Sequence, residues 1–391
     1  MKVLFVTRGY PTDNGPVYGN FEADQAEALT RLDCDVTVLC VDRRYHAPES
    51  RRIGISYEVR NGVKVYRIYI CPLPVNVLIN FTNLIASVLG LILFKRVFKE
   101  QGIPDIIHAH YLFCLPLAVK IAKKYNIPIV ETEHWSVMNF KKIPHSIKSM
   151  AKKYYPQVNL LVLVSETLRK SVLSHIGVDG IAINNIVNIY KHDAVSNHDG
   201  NTKFISVGRL VPIKGFDILI KAFKVFHDKY PSVSLTIVGD GPEMKHLNRL
   251  VSDNHLHGIV SLTGKMNRKE VCELLHSSDF FVLPSHSETF GVVYIEAMSL
   301  GLPVIATKCG GPENFVTKDN GILVPTNDAA AVVDAMEYMH LNYNAFNRAK
   351  IAEYAVSHFS SEIISNEIIK NYKTIIKDIN KNDFIQNSKT F

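Results

Sequence analysis

Two carboxylates with seven residues between them, Glu288 and Glu296, are the sharpest chemical signal in the chain; the first lies in Pro284-Ser285-His286-Ser287-Glu288-Thr289-Phe290-Gly291. The apolar run just before it reads as a strand. The run from Val292 to Leu300 reads as a helix, so Glu288 falls in the loop at that helix's start. Amides at a helix start favour a phosphate, and carboxylates there accept hydrogen bonds from sugar or ribose hydroxyls. Simple helix capping also accounts for acids in such a place. A second set, Ser206-Val207-Gly208-Arg209-Leu210-Val211-Pro212-Ile213-Lys214-Gly215, puts two cations five residues apart where a strand passes into a loop. Gly208 permits a close turn. Arg209 and Lys214 can converge on one diphosphate, the fork of the first and the compact charge of the second replacing a metal as counter-charge. Ordinary surface cations are the alternative.

Weaker signals surround these. Val238-Gly239-Asp240-Gly241-Pro242 follows a strand, but Met244 stands where a dinucleotide fingerprint needs its third glycine. Gly239 and Gly241 therefore read either as a tight turn or as contacts to a ligand, which the resemblance given below would make the donor. Cys309-Gly310-Gly311-Pro312-Glu313 supplies another glycine turn. In the first half, His108 and His110 end one strand, and Glu131-Thr132-Glu133-His134-Trp135 closes the next. Neither histidine has a third ligand at a recognisable spacing, so polar site residues fit better than zinc, and no metal is expected. Asp33-Cys34-Asp35 precedes a strand rather than ending one and is rejected as a metal site. Glu133 and His134 are candidates for contact with an acceptor. Gly15 and Gly19, after the first strand, offer backbone groups to donor or acceptor.

Positioning these residues takes an alternation of short β-rich runs with helical patterns, the arrangement of parallel sheets with crossover helices. Two such sets imply two doubly wound α/β domains, residues 1–190 and 200–358, joined by the polar stretch 188–203. Their candidate residues all fall at C-terminal strand ends, where open α/β sheets bind ligands, and a shared cleft is the expected site. A last helical segment, 360–380, is expected to pack back onto the first domain.

The chain has 391 residues, 47% hydrophobic and 21% charged, which rules out a single small module or a disordered chain. Its charge of +7 resides in the first half, with 23 basic against 15 acidic residues to position 190 and 21 against 22 beyond. Such asymmetry suits an anionic membrane or a phosphate-bearing substrate, or is no more than solvated lysine. Aromatic-interleaved basic motifs for nucleic acid are missing. The six cysteines form no C-x-x-C, and the N-terminus lacks a signal-peptide pattern, so a cytoplasmic protein with free thiols is expected. Residues 75–94 carry no charge. On length they admit a bilayer span, but Asn76, Asn80, Asn83 and Ser87 recur at helical spacing and mark a polar face. A helix in the core or on a membrane surface is the better reading.

Taken in order, HAHYL, ETEHW, VGRLVPIKG, VGDGP, PSHSETFGVVYIEA and CGGPE resemble the large E-x7-E family of retaining glycosyltransferases with the GT-B fold, over almost the whole chain. The resemblance implies a transferase that moves a sugar from a UDP- or GDP-linked donor to a glycan or lipid-linked glycan acceptor, without a cofactor. It implies that Arg209 and Lys214 hold the diphosphate, that Glu296 binds the ribose and that Glu288 contacts the sugar. Thr289, Phe290 and Gly291 would offer backbone groups, and His110 would approach the sugar near its 6-position. The N-terminal loop PTDNGPVYGN departs from the paired glycines usual in the family. An epimerase or phosphorylase on the same fold, or a noncatalytic membrane-surface protein, stands as the alternative; a phosphorylase would need a cofactor lysine that no motif supplies.

Overall fold

The computed structural model describes the chain except residues 13–18, 43–53, 71–78, 141, 188, 191–199 and 389–391, and the side chains of 79–82 and 380–388. The chain forms two compact units, Met1–Ile186 with Ser361–Phe391, and Val187–Ser360. The first contains β1 (Lys2–Thr7), α1 (Asn20–Arg31), β2 (Asp35–Asp42), β3 (Ile55–Arg60), β4 (Val63–Tyr69), α2 (Ile79–Gln101), β5 (Ile106–His110), α3 (Leu115–Tyr125), β6 (Ile129–Glu133), α4 (His145–Tyr154), β7 (Leu160–Leu163), α5 (Glu166–Ile176) and β8 (Ile181–Ala182). The second contains β9 (Thr202–Val207), α6 (Phe216–Lys229), β10 (Val233–Val238), α7 (Met244–Asp253), β11 (Val260–Gly264), α8 (Arg268–His276), β12 (Phe280–Leu283), α9 (Val292–Ser299), β13 (Val304–Thr307), β14 (Gly321–Val324), α10 (Ala329–Leu341) and α11 (Arg348–Phe359). Helix α12 (Ser361–Ser388) completes the first.

The sheet orders are β3-β4-β2-β1-β5-β6-β7-β8 and β11-β10-β9-β12-β13-β14. Every pairing is parallel except that of β3 with β4. In each unit the chain enters at the centre, winds outward one way, then returns to wind the other way. The reversals fall between β1 and β5 and between β9 and β12, which is where a doubly wound sheet leaves a crevice at its strand ends.

Local chemistry explains the elements. Strands β1, β5, β12 and β13 are buried almost throughout, as parallel strands covered on both faces must be. Helix α8 starts at a full capping box between Asn267 and Glu270, and α3 ends on Asn126 at φ 53°. Ile364, Ile368 and Tyr372, four residues apart, fix α12 into the core of the first unit beside Val3, Phe5 and Val36. Each such side chain contributes about 1.5–3 kcal/mol of burial.

Helix α2 turns the polar face marked by Asn83 and Ser87 inward. Asn83 and Ser87 are buried (9% and 2% exposed), whereas Leu84, Val88 and Ile92 are 52%, 49% and 49% exposed. Close packing decides this, because a Cβ on Gly90 would lie 2.3 Å from Leu117 Cδ2 of α3. Only the small-residue face, with Ala86, Ser87 and Gly90, fits there. The Ser87 hydroxyl is satisfied by donating to the Asn83 carbonyl at 2.8 Å. Asn76 lies outside the described residues, as does the side chain of Asn80. Among the described residues no helix is long and apolar enough to cross a membrane. Cys34, Cys40, Cys114, Cys272 and Cys309 are free thiols; Cys71 lies outside the described residues.

Candidate active site

At the reversal of the second sheet, backbone contacts bind the strand-end loops together. Gly208 N–H donates to the Val238 carbonyl at 3.0 Å, Leu210 N–H to Asp240 at 3.0 Å, His286 N–H to Ile213 at 2.8 Å and Gly311 N–H to Glu288 at 2.9 Å. Glycine is required where these loops touch. A Cβ at Gly239, whose φ is +145°, would lie 1.9 Å from the Gly208 carbonyl oxygen, and one at Gly241 2.2 Å from that of Leu210. The neighbouring loop therefore accounts for Gly239 and Gly241 without a ligand, which favours the tight-turn reading over donor contact.

This arrangement brings together groups 74 residues apart in sequence. Lys214 Nζ donates to Glu288 Oε1 at 2.5 Å, and the Ser285 hydroxyl donates to the same oxygen at 2.8 Å. Glu288 is nearly buried, Lys214 partly exposed and Arg209 exposed. A carboxylate fixed by two donors, next to a cation with further N–H groups, can hold a sugar hydroxyl on one side and a phosphate on the other. Gly291, at φ 101°, caps α9. Thr289 precedes it, and the Phe290 ring is buried against Phe315 and Phe359, leaving Phe290 only its backbone to offer. Glu296 lies on α9, partly exposed. Tyr294 on α9 is wholly buried and donates to the Leu283 carbonyl at 2.6 Å.

At the reversal of the first sheet the groups are buried and largely neutral. His110 Nδ1 is 3.2 Å from His134 Nε2, and the His110 ring stacks on His108 at 4.4 Å between centroids. His110 Nε2 is buried without a partner. His108 is held by Tyr372 of α12 and by the Thr132 hydroxyl, 2.7 Å from its Nε2. Burial pushes His108 and His134 down to about 3 and His110 well below its usual range, with neighbouring histidines adding to the effect on His108 and His110. All three are neutral at pH 7.

Glu133 differs from its expected role. It is wholly buried and accepts from Trp135 N–H at 2.8 Å, Leu112 N–H at 3.1 Å and the Tyr155 hydroxyl at 2.8 Å. Its oxygens thus brace the two strand-end turns and do not reach for an acceptor. One of those turns is strained: Tyr111 has φ 67°, ψ 141°, a conformation that costs a bulky residue about 1–3 kcal/mol. The Arg8 guanidinium lies 3.8 Å from the centre of the Tyr111 ring. Glu22, in the first turn of α1, is buried, and loss of hydration raises its carboxyl to about 7. Gly15 lies outside the described residues.

Sequence reasoning missed Arg8, Glu22, Tyr111 and Ser285. Arg8 carried a usable signal, a charge ending an apolar first strand. Ser285 stood inside the quoted motif, three residues before Glu288.

Residues 21–189 match the model of Glycosyltransferase Family 4, and residues 189–357 match that of Glycosyl transferases group 1. The chain belongs to the group 1 glycosyltransferases. Its two parallel-sheet domains have the GT-B fold. Against a sucrose-phosphate synthase from Thermosynechococcus elongatus the TM-score is 0.77 at 19% identity, covering 96% of this chain and 99% of that one. Against HepE of Anabaena in complex with UDP it is 0.71 at 20% identity, covering 96% and 100%. In sequence, this glycosyltransferase is 28% identical over 366 residues to the putative teichuronic acid biosynthesis glycosyltransferase TuaC of Bacillus subtilis, covering 87% of this chain and 90% of that one.

Proposed function

We propose that this glycosyltransferase transfers a hexose, with retention, from a UDP- or GDP-linked donor to a glycan or lipid-linked glycan acceptor, at the cytoplasmic side of a membrane and without a divalent metal. The Lys214–Glu288–Ser285 cluster carries this reading. The donor diphosphate lies against Lys214 and Arg209, its ribose against Glu296, and its sugar against Glu288 and the amides from Thr289 to Gly291. HepE, of the same fold, was solved with UDP, and TuaC is named for polysaccharide synthesis; both support the choice of donor and acceptor class.

In the reaction the anomeric C–O bond breaks and its electron pair goes to the diphosphate oxygen. Lys214 and Arg209 stabilise the charge that develops there, so the interaction strengthens toward the transition state. The acceptor hydroxyl oxygen forms the new bond on the same face and passes its proton to the departing phosphate. Neutral His110 keeps an unpartnered Nε2 at the first reversal without adding charge there. The test is a panel of nucleotide sugars screened by thermal shift, then product anomers read by NMR with and without chelator. A retained anomer and chelator-resistant turnover are expected; an inverted product, chelator-abolished activity or no stabilisation by any UDP or GDP sugar would overturn the corresponding part.

A further inference from the structure

We propose that the exposed faces of α2 and β3 form a docking surface for an anionic lipid bilayer. Residues 84, 88, 92, 95 and 99 follow the spacing of one helix face, about 22 Å long at 1.5 Å per residue. Leu84, Val88 and Ile92 are half exposed on it, and Lys95 and Lys99 are exposed at its C-terminal end. A helix that turns its polar Asn83 and Ser87 inward and its leucine, valine and isoleucine outward suits a second solvent less polar than water.

A second element contributes to the same side. Ile55, Tyr57 and Val59 are exposed along β3, the antiparallel edge of the sheet. Tyr57 is the register partner of Tyr66, their rings 4.7 Å apart, and the Tyr66 hydroxyl donates to Glu100 of α2 at 2.7 Å. The apolar row of β3 therefore lies on the sheet face that α2 covers, beside that helix's last turns.

Charge selects the occupant. Long lysine stems can lie along apolar surface while their ammonium groups reach lipid phosphates. No acid shares the line of Leu84, Val88, Ile92, Lys95 and Lys99, so a second copy of the chain would bring more lysine and no partner for it. The proposal rests on the transferase reading only for its purpose, delivery of a lipid-linked acceptor to the first unit.

Flotation of the full chain with phosphatidylglycerol–phosphatidylcholine vesicles tests it without any turnover. Binding is expected to the anionic vesicles, to weaken with salt, and to be slight with phosphatidylcholine alone. Leu84→Ser, Val88→Ser and Ile92→Ser together should lower binding at least tenfold with the circular-dichroism melt unchanged. Lys95→Gln with Lys99→Gln, which leaves packing intact, should lower it by about fivefold per lysine. Absent binding by the wild type, binding indifferent to both variants, or a wild-type dimer that the serine variant dissociates with vesicle binding unaltered would overturn the proposal. Sugar transfer to a soluble acceptor analogue would survive that failure, which separates it from failure of the transferase reading.

Discussion

The two sheet reversals share one topology and solve opposite electrostatic problems. In the second unit a lysine and a carboxylate are paired at 2.5 Å near the surface, and loops laced by backbone bonds hold them. In the first unit three histidines and two glutamates are buried with pKa values pushed toward their neutral forms. A site for a diphosphate needs fixed charge. At the first reversal burial instead keeps the polar groups uncharged.

The largest effect expected is at the charged site. Lys214→Ala removes the cation proposed to hold the leaving diphosphate, so kcat should fall by about 10²–10³, or about 3–4 kcal/mol, with the melting transition little changed. Steady-state kinetics and calorimetry check this. A loss confined to KM would mean that Lys214 only anchors the donor and that the contrast between the two sites is one of binding alone.

Gly239→Ala acts on the lacing and not on the charge. The added Cβ would lie 1.9 Å from the Gly208 carbonyl at a φ of +145°, so backbone must move. A loss of about 2–4 kcal/mol in the second unit's stability is expected, with the first unit's transition unmoved. Equal loss in both units in a calorimetric scan would break the view that the lacing is local to one site.

The sequence made strand ends and cations legible because backbone geometry follows from local patterns: an apolar run, then Gly208, Arg209 and Lys214. Partners 74 residues apart, such as Lys214 and Glu288, were placed in one site by their loops but not as a bonded pair. Burial was harder to read. Glu133 was judged by polarity and position, yet it is enclosed by groups from distant segments, Tyr155 and Leu112. On α2, polar periodicity marked a face without its direction, and Gly90 against Leu117 set the rotation, a choice made by packing with another helix.

Glu131 gives the most diagnostic effect, one that grows with pH. It shares a face of β6 with Glu133, both its oxygens are buried without partners, and burial together with the Glu133 charge holds its carboxyl well above the usual range. Its folded pKa exceeds its unfolded value, so the folded state keeps a proton that the unfolded chain releases above about pH 4.5. Stability from this group is intact below that pH and is lost as pH rises toward the folded pKa. Glu131→Gln, permanently neutral, should therefore gain on the wild type by about 1.4 kcal/mol per pH unit above 4.5 until the pH reaches the folded pKa, as read from denaturation midpoints between pH 4.5 and 7. The histidines impose the opposite slope below about pH 6.5, since the unfolded chain takes protons that the buried rings refuse. In the wild type the two slopes oppose one another between pH 4.5 and 6.5, and the substitution should expose the histidine slope as a steeper loss on acidification. A difference between variant and wild type that does not change with pH would mean that Glu131 is ionised in the folded protein, and the neutral character assigned to the first site would then be wrong.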